Sequence, residues 1–143
     1  MESQTVVGGN GTNIVIEATG SPSNIPLVFI HGYSQSRLCW KHQFSSDLTD
    51  DFHVVRFDIR GHGDSDKPGG GYADPELWAT DVQAVIDSIE ADEVILIGWS
   101  YGGLIMSDYL CVSGTEDILG LNYVNAISEK STDDAAKFAG EEF

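Results

Sequence analysis

The stretch Val94-Ile95-Leu96-Ile97-Gly98-Trp99-Ser100-Tyr101-Gly102-Gly103 decides how the chain reads. Val94–Ile97 is a short continuous apolar run, the pattern of a strand buried on both faces. A serine with a glycine two residues to each side follows at once. Small and apolar residues then continue toward Val112. A strand, then Gly-x-Ser-x-Gly, then a helix is the arrangement that presents a nucleophile on a sharp turn. Side chains at Gly98 and Gly102 would collide with neighbouring backbone in such a turn. The bend lifts the Ser100 hydroxyl above the C-terminal edge of a sheet and aims a helix N-terminus at the reacting centre. Alone the five-residue pattern is weak; between these flanks it is specific.

The segments before and after this turn alternate in the same way. Thr5–Val7 and Asn13–Ala18 are β-branched runs joined by GGNGT, a hairpin turn rich in residues that tolerate positive φ. Leu27–Ile30 is another continuous apolar run. From Ser36 to about Leu48, Trp40, Phe44 and Leu48 recur at helical spacing, which predicts a helix. His53–Ile59 reads as a strand, followed by the Gly-broken loop RGHGDSDKPGGG. Asp74-Pro75 predicts a helix start, with Trp78, Val82, Val85, Ile86 and Ile89 on one face. Glu93–Ile97 is the strand before Ser100. Gly102–Val112 predicts a buried helix through Leu104, Ile105, Met106, Tyr109 and Leu110. Ile118–Ala126 predicts a last strand, and residues 128–143 a polar tail. Strands alternating with helices make βαβ units. The expectation is one α/β domain over residues 1–143, with a mostly parallel sheet, helices on both faces and a leading antiparallel hairpin.

Composition narrows the partners. Seven Lys and Arg against 23 Asp and Glu give a net charge of −16. Such a surface repels phosphates and anionic lipid, so neither nucleic acid nor a membrane is expected as a partner. Two readings of the charge stay open: an ordinary solvated acidic face, or adaptation to high salt. The apolar runs are far too short for a membrane span, and the N-terminal residues lack a signal-peptide pattern, so a soluble cytoplasmic protein is expected. Cys39 and Cys111 have no metal-site or redox spacing and are expected as two reduced, buried thiols. No phosphate loop, dinucleotide motif or cluster of metal ligands occurs, so no cofactor and no metal is expected.

Two further stretches carry chemistry. His31-Gly32-Tyr33 follows the strand Leu27–Ile30 directly. With a Ser100 elbow, the backbone N–H of Tyr101 and that of Tyr33 are the expected pair of oxyanion donors. The His31 ring is expected to hydrogen-bond its own loop. In Arg56-Phe57-Asp58-Ile59-Arg60-Gly61-His62-Gly63-Asp64-Ser65, the glycines at 61 and 63 mark a loop that approaches other backbone closely. His62 has two roles open to it, general base or loop shaping, and the frame favours the second.

HGY, DIRGHGDSDKP and GWSYGG, in this order and spacing, resemble the N-terminal half of the α/β-hydrolase family. The resemblance runs from about Val6 to Ala126 and is nearest to its esterase, lactonase and non-haem haloperoxidase-like members. It implies that Ser100 is the nucleophile, that Tyr33 and Tyr101 supply oxyanion N–H groups, and that Trp99 and Tyr33 line the substrate pocket. His31, Gly32, Gly98, Gly102, Asp58, Gly61 and Gly63 fall on the motif positions that shape the loops. A serine at the elbow speaks against the epoxide-hydrolase and haloalkane-dehalogenase branches, which place an aspartate there.

One departure bears on activity. The family's triad runs serine, acid, histidine along the chain, whereas His31, His42, His53 and His62 all precede Ser100. Asn125 and Glu129 stand where some relatives carry the acid. The fold is therefore expected to stop after about the sixth strand, leaving that strand as an open edge that invites self-association. Three readings follow: a serine hydrolase of ester, lactone or related small carbonyl substrates, inactive or weak as this chain alone; a non-catalytic binding or interaction module; or an inert fragment.

Overall fold

The structure is a computed structural model and describes residues 2–126. The expected polar tail and Glu129 lie outside the described residues. Six strands form one sheet: β1 (Glu2–Val7), β2 (Asn13–Thr19), β3 (Ile25–Ile30), β4 (Phe52–Phe57), β5 (Val94–Trp99) and β6 (Ile118–Val124). Their spatial order is β1-β2-β4-β3-β5-β6. β1 pairs antiparallel with β2, as the hairpin turn implied, and β2 also pairs antiparallel with β4. β4, β3, β5 and β6 run parallel. This is the mostly parallel α/β sheet that the alternating segments predicted.

Alternation along the strands builds a core on each face. Val28 and Ile30 of β3 point one way, with Ile14, Ile16, Val55, Phe57 and Leu96, under the helices α3 (Pro75–Asp87) and α4 (Tyr101–Ser113). Leu27 and Phe29 point the other way, with Val54 and Ile97, under Trp40 and Phe44. Asp74 caps α3 by accepting from Glu76 N–H at 3.0 Å, and Pro75 takes the first helical position. Trp78, Val82, Val85 and Ile86 of that helix are buried, as is Ile89 just past its end.

Two expectations are corrected. Residues 36–48 do not form one helix. A 3₁₀ turn (Arg37–Trp40) leads into two single turns, α1 (Lys41–Phe44) and α2 (Leu48–Asp51). Ser46 causes the break: its Oγ donates to Gln43 O at 2.8 Å and accepts from Leu48 N–H at 3.3 Å, replacing helical backbone bonds. The thiols also differ from expectation, since Cys39 is half-buried and Cys111, on the last turn of α4, is exposed. At the β6 edge Leu119, Leu121 and Tyr123 are exposed. No helix among the described residues is long and apolar enough to cross a membrane.

Candidate active site

Parallel strands bring the loops after β3, β4 and β5 to the same end of the sheet. Ser100 stands between β5 and α4 at φ 54°, ψ −118°, a strained conformation for a residue with a side chain. Its backbone is fixed from both sides. Ser100 N–H donates to Val124 O at 3.3 Å, and Gly103 N–H donates to Ser100 O at 3.0 Å. A Cβ on Gly98 would lie 2.7 Å from Gly102 C, and one on Gly102 would overlap the Ile30 carbonyl oxygen. The start of α4 therefore rests directly on the backbone ends of β3 and β5.

The β3 loop meets this turn edge-on. A Cβ on Gly32 would lie 3.1 Å from the Ser100 Cβ, so no side chain separates that loop from the serine. Tyr33 follows, its ring 6.4 Å from that of Tyr101 and 5.7 Å from the His62 ring, centroid to centroid. Tyr101 N–H belongs to the first residue of α4, where no carbonyl of the same helix can reach it.

The two loop histidines use both ring nitrogens. His31 Nδ1 donates to Gly32 O at 2.8 Å and Nε2 accepts from Ile59 N–H at 3.1 Å. Burial pushes the His31 pKa down to about 4, although the Gly32 carbonyl and the Asp58 charge pull the other way. His62 Nδ1 donates to Arg60 O at 3.0 Å and Nε2 accepts from Ser34 N–H at 3.1 Å. Neither is hydrogen-bonded to the Ser100 hydroxyl. His42 sits in α1 and His53 in β4.

Asp58 is the fully buried anchor beneath these loops. It accepts from Arg37 N–H at 2.6 Å, from the Arg37 guanidinium, and from Asp64 N–H at 2.9 Å. Gly63, at φ 52°, passes so close that a Cβ would overlap the Asp58 carboxylate. Gly61 lies against Tyr72 in the same way. Arg37 also pairs with Glu17 at 3.0 Å and Asp64 at 3.0 Å. Burial opposes ionisation of Glu17, but hydrogen bonds from Arg37 and Arg56 outweigh it and hold its pKa below the usual value.

A cavity of about 540 Å³ opens beside the loops, lined by Tyr33, Ser34, Gly61, His62, Tyr72, Trp78 and Tyr101. Trp78 Nε1 donates to Tyr72 O at 2.9 Å and Tyr72 OH donates to Pro68 O at 2.8 Å, so these rings spend their polar atoms on backbone. Trp99 is not part of this wall. It is half-buried and packs on the opposite face, against the cluster of Leu27, Phe29, Trp40 and Ile97. Tyr72 and Trp78 carry no site signal in the sequence, because Trp78 reads as one member of an apolar helix face and Tyr72 stands in the loop before it. Among the described residues no group of three or more His, Cys, Asp or Glu is placed to hold a metal ion.

The sequence profile of the alpha/beta hydrolase family matches residues 27–139. Among solved structures, the esterase RhEst1 from Rhodococcus sp. ECU1013 superposes with a TM-score of 0.85 at 44% identity, over 90% of this chain and 47% of its own. A non-heme chloroperoxidase of Streptomyces lividans is 35% identical over 74% of this chain and 38% of its own length. A soluble epoxide hydrolase of Corynebacterium sp. (strain C12) is 34% identical over 71% and 34% respectively. The chain thus spans between a third and a half of these relatives. By this match, and by the sheet order and loops just described, the chain belongs to the α/β-hydrolase family.

Proposed function

We propose that this chain carries the nucleophile of a serine-dependent hydrolase acting on ester, lactone or related carbonyl substrates. Ser100 Oγ attacks the carbonyl carbon, and the N–H groups of Tyr33 and Tyr101 hold the oxygen as it takes up negative charge. The observation that carries this reading is the strained Ser100 bend with the Gly32 loop so close beside it that a Cβ on Gly32 would stand 3.1 Å from the Ser100 Cβ. Strain of this kind persists only where surrounding structure imposes it, and it collects at reacting centres. Serine at the elbow, together with the esterase likeness, favours carbonyl over epoxide chemistry.

The cavity wall beyond Tyr33 and Tyr101 receives the apolar part of the substrate. Trp99, on the far side of the elbow, borders the approach to Ser100. The general base is none of His31, His42, His53 or His62. With two of these rings consumed by loop contacts, activation of Ser100 calls for a histidine and an acid supplied by residues other than those described. Residues 2–126 alone therefore support only the slow acylation that an oxyanion site without a base allows.

A fluorophosphonate probe tests the reading. The expected result is one adduct per chain by intact mass, mapped to Ser100 and absent from Ser100→Ala. Equal labelling of the two, or none in either, would leave the chain as a binding module without its own nucleophile.

A further inference from the structure

The β3 and β4 loops hold each other by a reciprocal exchange between their histidines. His31 of the first loop accepts Ile59 N–H of the second, and His62 of the second accepts Ser34 N–H of the first. The rings meet edge to face with centroids 5.4 Å apart. Backbone carbonyls only accept and amides only donate, so each ring is neutral with its proton on Nδ1. The two differ in access. His31 is fully buried, whereas His62 is half-buried and forms part of the cavity wall.

The amide that His62 holds belongs to Ser34, which sits at φ 59° on the exposed side of the loop. Such a conformation needs an outside hold. A second proton on His62, taken from solvent, would make Nε2 a donor facing another donor. The bond to Ser34 N–H would be lost, while Nδ1–H to Arg60 O would remain.

We propose that His62 is a positioning residue: its neutral ring holds the Tyr33–Ser34 turn, and proton uptake at Nε2 frees that turn. The ionisable groups around the ring are His31 and Tyr33 from the β3 loop, Asp58, Asp64 and Lys67 from its own loop, Tyr72 ahead of α3, and Tyr101 on α4. Asp58 lies beneath His31, whose Nε2 is 3.9 Å from Asp58 Oδ1, and against Gly63, the residue after His62, and Arg37 pairs with that same carboxylate. The consequence for chemistry rests on the reading of Tyr33 N–H as an oxyanion donor; the hold on Ser34 does not.

NMR of the ¹⁵N-labelled 143-residue chain tests this directly, with the His62 ring nitrogens and the Ser34 amide followed together against pH. The expected outcome is an Nδ1–H ring at high pH, and a Ser34 protection factor that falls about tenfold as the ring takes up its proton. His62→Gln keeps an acceptor without a titration, so Ser34 should stay protected at every pH. His62→Phe keeps the ring and loses the acceptor, so Ser34 should be unprotected throughout. A Ser34 amide that ignores the His62 titration, or a ring carrying its proton on Nε2, overturns the proposal. If His62→Phe does not fold, the unaltered chain and His62→Gln still decide it. Failure of Ser100 to label would remove the nucleophile and leave this result standing, and the reverse holds equally.

Discussion

Arg60 and Asp81 meet in a two-pronged ion pair, Nε to Oδ2 at 2.6 Å and NH2 to Oδ1 at 2.7 Å, with both side chains at most 2% exposed. Asp81 Oδ1 also accepts Gly9 N–H at 2.9 Å, and Arg60 NH2 donates to Gly9 O at 3.1 Å. One pair thus pins the β1–β2 turn, the β4 loop and α3 together. Removing one partner leaves a buried charge without its counter-ion. Asp81→Ala should therefore lower stability by about 3–5 kcal/mol. Denaturant unfolding of the two chains checks this, and a loss below ~1 kcal/mol would assign the hold to packing instead.

Gly102 faces backbone rather than side chains. A Cβ there would overlap the Ile30 carbonyl oxygen and stand 2.9 Å from that of His31, neither of which can rotate aside. Gly102→Ala should push α4 off the end of β3 and cost about 1–3 kcal/mol. Because the same shift moves Ser100, fluorophosphonate labelling should drop to less than roughly a hundredth at temperatures where the variant remains folded. Melting curves and labelling rates, read together, separate the two effects.

Strands and the Ser100 turn were legible in the sequence for a local reason. Leu27–Ile30 and Val94–Ile97 are apolar runs bounded by turn residues, and glycines at 98 and 102 admit only close backbone. Between Ser36 and Leu48 the spacing of Trp40, Phe44 and Leu48 predicts one helix; Trp40 and Phe44 are buried as such a face would be, but the helix is broken. The periodicity could not show that the Ser46 hydroxyl would take over Gln43 O and Leu48 N–H. Longer-range pairings leave no pattern at all. Arg60 and Asp81 lie 21 residues apart, and Ser34 and His62 lie 28 apart. Cys111 is expected inside as an unpaired thiol, the usual fate of such a residue, yet it lies exposed on the last turn of α4.

The placement of the arginines sharpens the meaning of the net charge. Arg37, Arg56 and Arg60 are the chain's three arginines, and all are buried against Glu17, Asp58, Asp64 or Asp81. Among the described residues, Lys41 and Lys67 are the remaining cationic Lys and Arg side chains, and Lys67 Nζ donates to Gly63 O and Ser65 O. The surface carboxylates therefore repel one another with little cationic relief. Screening should raise the melting temperature by roughly 5 °C or more between ~0.1 M and ~2 M KCl. An unchanged melting temperature would mean that the acidic surface places no load on the fold.

His31 makes stability depend on pH with a definite sign. Burial lowers its pKa from 6.5 to about 4 in the folded chain, so the unfolded chain binds the proton more readily. Stability from this group is complete above about pH 6.5 and declines as pH falls from there toward 4. The decline should approach roughly 3 kcal/mol and level off below the folded value. His53, lowered by burial as well, adds a slope of the same sign. Glu17 acts in a lower window, because its depressed pKa stabilises above the unfolded value of 4.5 and loses that stabilisation below it. Urea unfolding at intervals from pH 4 to 7 reads the His31 contribution. His31→Gln should flatten the curve over that range while lowering stability at pH 7, since the Ile59 N–H and Gly32 O bonds are disturbed. A curve as steep in His31→Gln as in the unaltered chain would place the titration elsewhere, with His53 the next group to replace.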